Sequence, residues 1–320
     1  METKFVLAGV IGCAIALALC YPVLLLCRKL KFSQTILKYV ESHKGKSGTP
    51  TMGGIIFILA SIVTYAIFAG EDSLFAWLSL AIMAGYGVIG FLDDFIKIKF
   101  RQNKGLSPWQ KIFGQVGIAI IVGVFVYLKV GTSIDFLGMT INLDWGIIPF
   151  TIFVFLAITN SVNLTDGLDG LAGGVSSVYV LFFGLILGLS SSGLLQELSV
   201  VCFAMFGAIV GYLAINTYPA KIFMGDTGSL ALGGFIASIS IFSGKVLLMP
   251  IMGIMFVLSA VSVILQVVYF KRTKKRIFLM APLHHHFEKK GVNENRIVTI
   301  YIIVTGIISA CCLWLEMSLK

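Results

Sequence analysis

Residues 74–96, LFAWLSLAIMAGYGVIGFLDDFI, run without a charge from Leu74 to Leu92 and then present two adjacent aspartates. A membrane-spanning helix needs about 20 mostly apolar residues, and this stretch supplies them. A barrel strand would be about 10 residues long and would alternate strictly, which Leu74 to Leu92 does not do. The stretch reads as a helix that crosses a bilayer and ends on an acid pair.

The rest of the chain repeats the pattern. Comparable apolar runs cover 5–27, 51–69, 112–129, 147–162, 171–189, 198–216, 228–243, 247–270 and 297–316, which with 74–96 makes ten expected spans. Of the 320 residues 58% are apolar and 12% charged, against about 45–50% and about 25% in soluble domains. Mean hydropathy is +0.98. So little charge cannot coat a water-facing surface, which excludes an ordinary soluble domain, a disordered chain and a secreted disulfide scaffold. The polar loops are too short to hold a separate domain. The expectation is an all-α, polytopic integral membrane protein, one transmembrane domain over 1–320. The run 5–27 is too long for a signal-peptide core of about 7–15 residues and leads into Arg28, Lys29 and Lys31 rather than a cleavage site; it reads as a retained span.

Charge sets the expected orientation. Of 24 Lys and Arg, twenty fall in the loops after spans 1, 3, 5, 7 and 9: six in 28–46, five in 97–111, Lys221, and eight in 271–296. The opposite side holds Lys4, Lys129, Lys245 and Lys320. Basic residues accumulate in cytoplasmic loops, so both termini are expected outside and the odd-numbered loops in the cytoplasm. Part of the net charge of +9 is this topology signal; the remainder points to anionic lipid or phosphate, with no nucleic acid expected. Residues 133–144, SIDFLGMTINLD, alternate around Gly138 and read as a short hairpin on the outer surface.

Several features resemble motifs without their context. Gly85, Gly87 and Gly90 spell GxGxxG inside an apolar helix, with no preceding strand; they read as sites of close helix approach. Gly45-Lys46-Ser47 ends like a phosphate-binding loop, but Val40 stands where the first glycine is required. Asn163-Leu164-Thr165 is a glycosylation sequon by spelling, on the side expected to be cytoplasmic. Cys13, Cys20, Cys27, Cys202, Cys311 and Cys312 all lie in or at the ends of spans without a CxxC pair, and read as small apolar fillers.

The chemistry gathers at one face. Five of eight aspartates, Asp93, Asp94, Asp166, Asp169 and Asp226, lie at the cytoplasmic ends of spans. Carboxylates near lipid are costly and usually functional. Adjacent helix residues point about 100° apart, so Asp93 and Asp94 have different jobs, and Lys97 lies within ion-pair reach of both. A charged helix end would be the plain alternative, but acids at a helix C-terminus oppose the macrodipole. NLTDGLDG at 163–170 offers two carboxylates and bare backbone to one ligand; capping of the next helix accounts for one of them. The loop 216–228, NTYPAKIFMGDTG, combines Asn216, Lys221, Phe223 and Asp226, a set suited to phosphate and metal; a helix cap is again the alternative. Consecutive His284, His285 and His286 do not all face one centre, as a zinc site would require, but one or two could contact an anion. Hard carboxylate oxygens suit Mg2+, and Mg2+ with basic residues suits phosphoryl transfer. Placement at the lipid boundary suggests one lipid and one cytosolic substrate.

On these residues the chain resembles the polyprenyl-phosphate N-acetylhexosamine-1-phosphate transferase superfamily, which shares Asp93-Asp94, NLTDGLDG and the Asp226 loop. GTPTMGG at 48–54 and PLHHHFE at 282–288 are similar to its phospho-N-acetylmuramoyl-pentapeptide branch, and the likeness runs over essentially the whole chain. The resemblance implies ten spans in the bacterial inner membrane with an active site facing the cytoplasm. It implies transfer from UDP-N-acetylmuramoyl-pentapeptide to undecaprenyl phosphate, giving lipid I and UMP in peptidoglycan synthesis. It further implies Asp226 as the Mg2+ ligand, Asp93 as a base with Asp94 beside it, and His285 among the catalytic residues. Lys46, Thr51, Lys97, Lys111, Asn163, Asp166, Asp169, Asn216, Lys221, Phe223 and His286 are implied in substrate binding. Direct attack by the lipid phosphate and a covalent carboxylate route both stay open, as does a homodimer, since members of the family are often dimers. Span 9, the longest, is a candidate wall for the polyprenyl chain. The other readings are a relative transferring another sugar phosphate, a secondary transporter, which should carry ionisable groups at mid-membrane, and a non-catalytic lipid-binding scaffold.

Overall fold

A computed structural model describes residues 2–30, 32, 48–100, 102 and 104–319. The helices are α1 (Glu2–Lys29), α2 (Gly54–Phe68), α3 (Leu74–Lys99), α4 (Pro108–Phe125), α5 (Ile147–Thr165), α6 (Leu171–Gly188), α7 (Gly193–Asn216), α8 (Gly225–Phe242), α9 (Leu248–Met252), α10 (Ile254–Thr273), α11 (Leu283–Lys289) and α12 (Glu294–Ser318). Among the described residues nine helical segments are long and apolar enough to cross a membrane, and the protein is all-α and polytopic. The segment expected as the second of ten spans is α2, with 15 residues. At 1.5 Å per residue it falls short of a hydrocarbon core of about 30 Å. The expected ninth span is also altered: it breaks at Gly253, between α9 and α10.

Packing follows side-chain size. The α8 sequence, GDTGSLALGGFIASISIF, has small residues on every side, and every residue of it except Asp226 is buried. A helix without a polar face belongs in the middle of a bundle, and α3, α5 and α2 pack around this one. Gly87 and Gly90 turn α3 toward α8; a Cβ added at Gly90 would overlap the Asp226 carbonyl. The GxGxxG spelling is thus a helix-packing surface. Around this centre α7 packs on α1, α6 and α2, and α12 packs on α6. The α4 helix starts earlier than its apolar run, because Ser107 and Gln110 form a reciprocal capping box with Pro108 in the first turn. Lys111 is therefore a helical residue.

The loops sort into two ends. At one end Lys4 pairs with Glu197 at 2.7 Å, and the same carboxylate accepts from the Tyr65 hydroxyl at 2.6 Å and the Gly70 amide at 3.1 Å. The hairpin lies there too, with β1 (Ser133–Phe136) antiparallel to β2 (Met139–Asn142) across a Leu137-Gly138 turn. Both turn residues have positive φ, as a two-residue hairpin of this twist requires. Lys245 ties it to the bundle, reaching Asp135 at 2.9 Å and Glu316 at 2.8 Å. The opposite end collects the loops after α3, α5, α7 and α11, and carries Asp93, Asp94, Asp166, Asp169 and Asp226. The six cysteines are free thiols.

Candidate active site

Asp226 is in the first turn of α8, rather than ahead of the helix as a cap, and it is the hub of the acidic end. Asn163 Nδ2, at the end of α5, donates to its Oδ1 at 2.8 Å. Lys97 Nζ, in the last turn of α3, and Lys111 Nζ, in the first turn of α4, reach its Oδ2 at 2.9 and 2.5 Å. Both ammoniums also reach Asp93, Lys97 at 2.5 Å and Lys111 at 3.2 Å. Four helices thus place two lysines and an asparagine around one carboxylate.

Asp93 and Asp94 do differ in what they touch. Asp93 Oδ1 accepts the Leu106 amide at 2.7 Å, which folds the α3–α4 loop back over the site. Asp94 Oδ2 accepts both the amide and the hydroxyl of Thr227, at 3.0 and 2.8 Å. Its other oxygen turns toward Lys97, 3.8 Å away. One oxygen from each of Asp93, Asp94 and Asp226 lies within 4.8 Å of the others. Both Asp93 Oδ2 and Asp94 Oδ1 are sealed from solvent; the first meets the Lys97 ammonium, and the second accepts no well-directed hydrogen bond among the described residues. Three converging carboxylates, with one oxygen of Asp94 short of a donor, fit a divalent cation such as Mg2+.

The surrounding loops brace this hub. The 50–54 segment lies along 223–224: Phe223 donates its amide to the Pro50 carbonyl at 2.8 Å, Gly53 to Phe223 at 2.8 Å, and Gly54 to Met224 at 3.1 Å. Thr51 is buried here, beside Gly225. Asn216 Nδ2 donates to the Ile222 carbonyl at 2.9 Å, and Asp169 Oδ2 accepts the Ala220 amide at 2.9 Å. These two residues shape the 217–224 loop, from which Lys221 projects exposed. Neither Asp166 nor Asp169 caps α6, whose N-cap position is Gly170 with φ +77°. His284 and His285 pack against Gly167; His285 Nδ1 pairs with Glu288 at 2.8 Å, and His286 accepts the Leu279 amide at 3.1 Å. Lys46 lies outside the described residues.

Known proteins resemble this chain over most of its length. A sequence profile described as glycosyl transferase family 4 matches residues 76–244. A signature of phospho-N-acetylmuramoyl-pentapeptide-transferase matches 46–58. The chain is 43% identical over 311 residues to the phospho-N-acetylmuramoyl-pentapeptide-transferase of Clostridium perfringens, covering 95% of this chain and 96% of that one. It is 45% identical over 313 residues to the enzyme of that name from a Thermoanaerobacter species, with 95% and 96% covered. For Clostridioides difficile the figures are 45% over 287 residues and 88% of each chain.

The chain belongs to the phospho-N-acetylmuramoyl-pentapeptide transferase family. It is a glycosyl-1-phosphate transferase of peptidoglycan synthesis, held in a membrane by its apolar helices. The family's signature covers the segment that pairs with 223–224, so the most specific motif frames the Asp226 loop. Reading the sequence overlooked Thr227 and Ser229. Thr227 holds Asp94, and Ser229 Oγ lies 2.8 Å from Asn163 Nδ2. Both follow Asp226 within one helical turn, and that spacing was the available signal.

Asp166 sits just beyond the end of α5. Burial pushes its carboxyl up to about 8, and the Asp226, Asp94 and Asp169 carboxylates push the same way. Its ordinary value is 3.8. The folded chain therefore keeps a proton that the unfolded chain has lost, and stability falls as pH rises between those values. With metal removed, the Tm of wild type relative to Asp166→Asn is expected to drop steadily from pH 4 to pH 8 and then level off. A flat difference would contradict a carboxyl that stays neutral in the folded chain.

Proposed function

We propose that this chain transfers phospho-N-acetylmuramoyl-pentapeptide from its UDP carrier to undecaprenyl phosphate, giving lipid I and UMP. The reaction takes place at the cytoplasmic face of the bacterial inner membrane, with residues 1–320 acting as one catalytic domain. The observation that carries this reading is the Asp226 hub, where three carboxylates and two ammoniums converge at the end of the bundle to which the basic loops belong. A lipid phosphate and a nucleotide diphosphate both carry the negative charge such a site must manage.

A lipid phosphate oxygen forms a bond to the donor's β-phosphorus. The bond from that phosphorus to the bridging oxygen breaks, and the bridging oxygen leaves on UMP. Phosphoryl transfer of this kind is catalysed mainly by positioning and charge neutralisation. Asp226, with the facing oxygens of Asp93 and Asp94, would hold Mg2+, which supplies positive charge to the diphosphate. Lys97 and Lys111 are on flexible stems, and as phosphate arrives their ammoniums can turn from the carboxylates to phosphate oxygens. Asp93, once relieved of lysine, is placed to take any proton still on the lipid phosphate. That phosphate is largely ionised near neutral pH, so the base contributes modestly and direct attack is favoured over a covalent carboxylate. Lys46, Thr51, Asn163, Asp166, Lys221, Phe223 and His286 are assigned to substrate contact, with His285 at the reacting groups. Asp169 and Asn216 serve by holding the 217–224 loop.

Purified protein in detergent, given both substrates and Mg2+, is expected to release UMP only when the lipid is present. EDTA should stop the release and added Mg2+ restore it. Well-folded protein that releases none in several detergents would sink this donor assignment. Release from UDP-N-acetylglucosamine instead would assign a related sugar phosphate.

A further inference from the structure

One turn deeper than the acidic hub, a second polar layer lies inside the bundle. Gln115 is four residues beyond Lys111 on α4, and Asn160 is three before Asn163 on α5. Asn160 Nδ2 donates to Gln115 Oε1 at 2.8 Å. The Tyr86 hydroxyl, on α3 two turns before Asp93, donates to the Gln115 carbonyl at 2.9 Å. The α8 helix closes the layer: Gly234 lies against the Tyr86 ring, and Gly233 against the Thr159 backbone. The four helices that meet at Asp226 therefore meet again around Gln115.

Gln115 is a poor choice for stability alone. It is buried, and its Nε2 has no hydrogen-bond partner among the described residues. A methionine of the same length would avoid that desolvation cost. What glutamine adds is a directional tie between α4 and α5. Those helices supply Lys111 and Asn163, which grip opposite oxygens of Asp226. We infer that the Gln115–Asn160 pair is a positioning element that holds the two helices in register, so that Lys111 and Asn163 clamp Asp226 from both sides. The inference deepens the transferase reading and rests on it.

Gln115→Met and Asn160→Leu test it by two readouts. The first is reductive methylation of Lys111 without substrate, followed by peptide mass spectrometry; it is expected to rise several-fold in each variant as the ammonium escapes Asp93 and Asp226. The second is UMP release per folded molecule, where kcat is expected to fall about tenfold with both KM values within about twofold, since small misplacement acts on the reacting geometry. Tm is measured alongside. Wild-type methylation and kcat in either variant would overturn the inference, as would a lower Tm with both unchanged. If Gln115→Met does not fold, Asn160→Leu, which removes the other half of the pair, carries both readouts alone. Wild-type protein that releases no UMP would overturn the transferase reading instead, and the methylation arm would still report on the clamp.

Discussion

Asp226→Asn is expected to reduce UMP release by about a thousandfold, beyond the roughly 10–100-fold that follows loss of a metal ligand's hydrogen-bond partner. The change keeps size and shape, so the fold has little reason to respond. Three things are lost together. The oxygen that both ammoniums approach at 2.9 and 2.5 Å becomes neutral or is replaced by an N–H that repels them. The three-carboxylate set becomes two, so its hold on Mg2+ weakens. The hub, with three negative and two positive side chains, goes from a net excess of one negative charge to none. The test is UMP release across a Mg2+ titration, with Tm measured in parallel. A variant retaining more than about a tenth of wild-type kcat would show that Asp226 is not the centre of the chemistry.

Gly90→Ala should have the next largest effect, through packing alone. The added carbon would overlap the carbonyl of Asp226 and lie 2.6 Å from the amide of Thr227. Both are backbone atoms and cannot swing aside. Relief requires α3 to shift against α8, and overpacking of this kind costs about 1–3 kcal/mol. The same shift pulls Asp94 from the Thr227 amide and hydroxyl and displaces Asp93 relative to Asp226. Misplacement by about 1 Å at a reacting centre can cost about a hundredfold in rate. The expected result is a lower Tm and a fall in kcat of that order. Gly117→Ala is the control: nothing lies within 4 Å of its added carbon, and alanine suits a helix better than glycine. If both variants behave alike, the α3–α8 contact does not set the site.

The lipid-crossing helices were legible because a run of 18 or more apolar residues has few other uses. The acid groups were legible because carboxylates at span ends are costly. The sequence also showed that Asp93 and Asp94 face different ways, which follows from helical geometry alone. What it could not show was who meets whom. Lys111 was implied in substrate binding by resemblance alone; its place on a helix was hidden because that helix starts at a capping box, ahead of the apolar run. The bonds that Asp169 and Asn216 make to the 217–224 loop were hidden, because nothing local reveals a bond to a backbone 51 or 6 residues away. The length of α2 and the break at Gly253 were hidden too, since apolar composition continues across both ends of one and through the other.

Asp94, in the acid pair that precedes the last turn of α3, meets Thr227 across 133 residues of chain. A ribosome adding about 5–20 residues per second delivers that partner on the order of ten seconds after Asp94. During that interval the nascent chain must keep two carboxylates at the lipid boundary with nearby lysines as their neutralising groups. Lys97 and Lys111 are made within that early window, Lys97 three and Lys111 seventeen residues after Asp94. The same two lysines that serve the finished site can therefore escort its acids through membrane insertion, before the helix that gives those acids a purpose has been made.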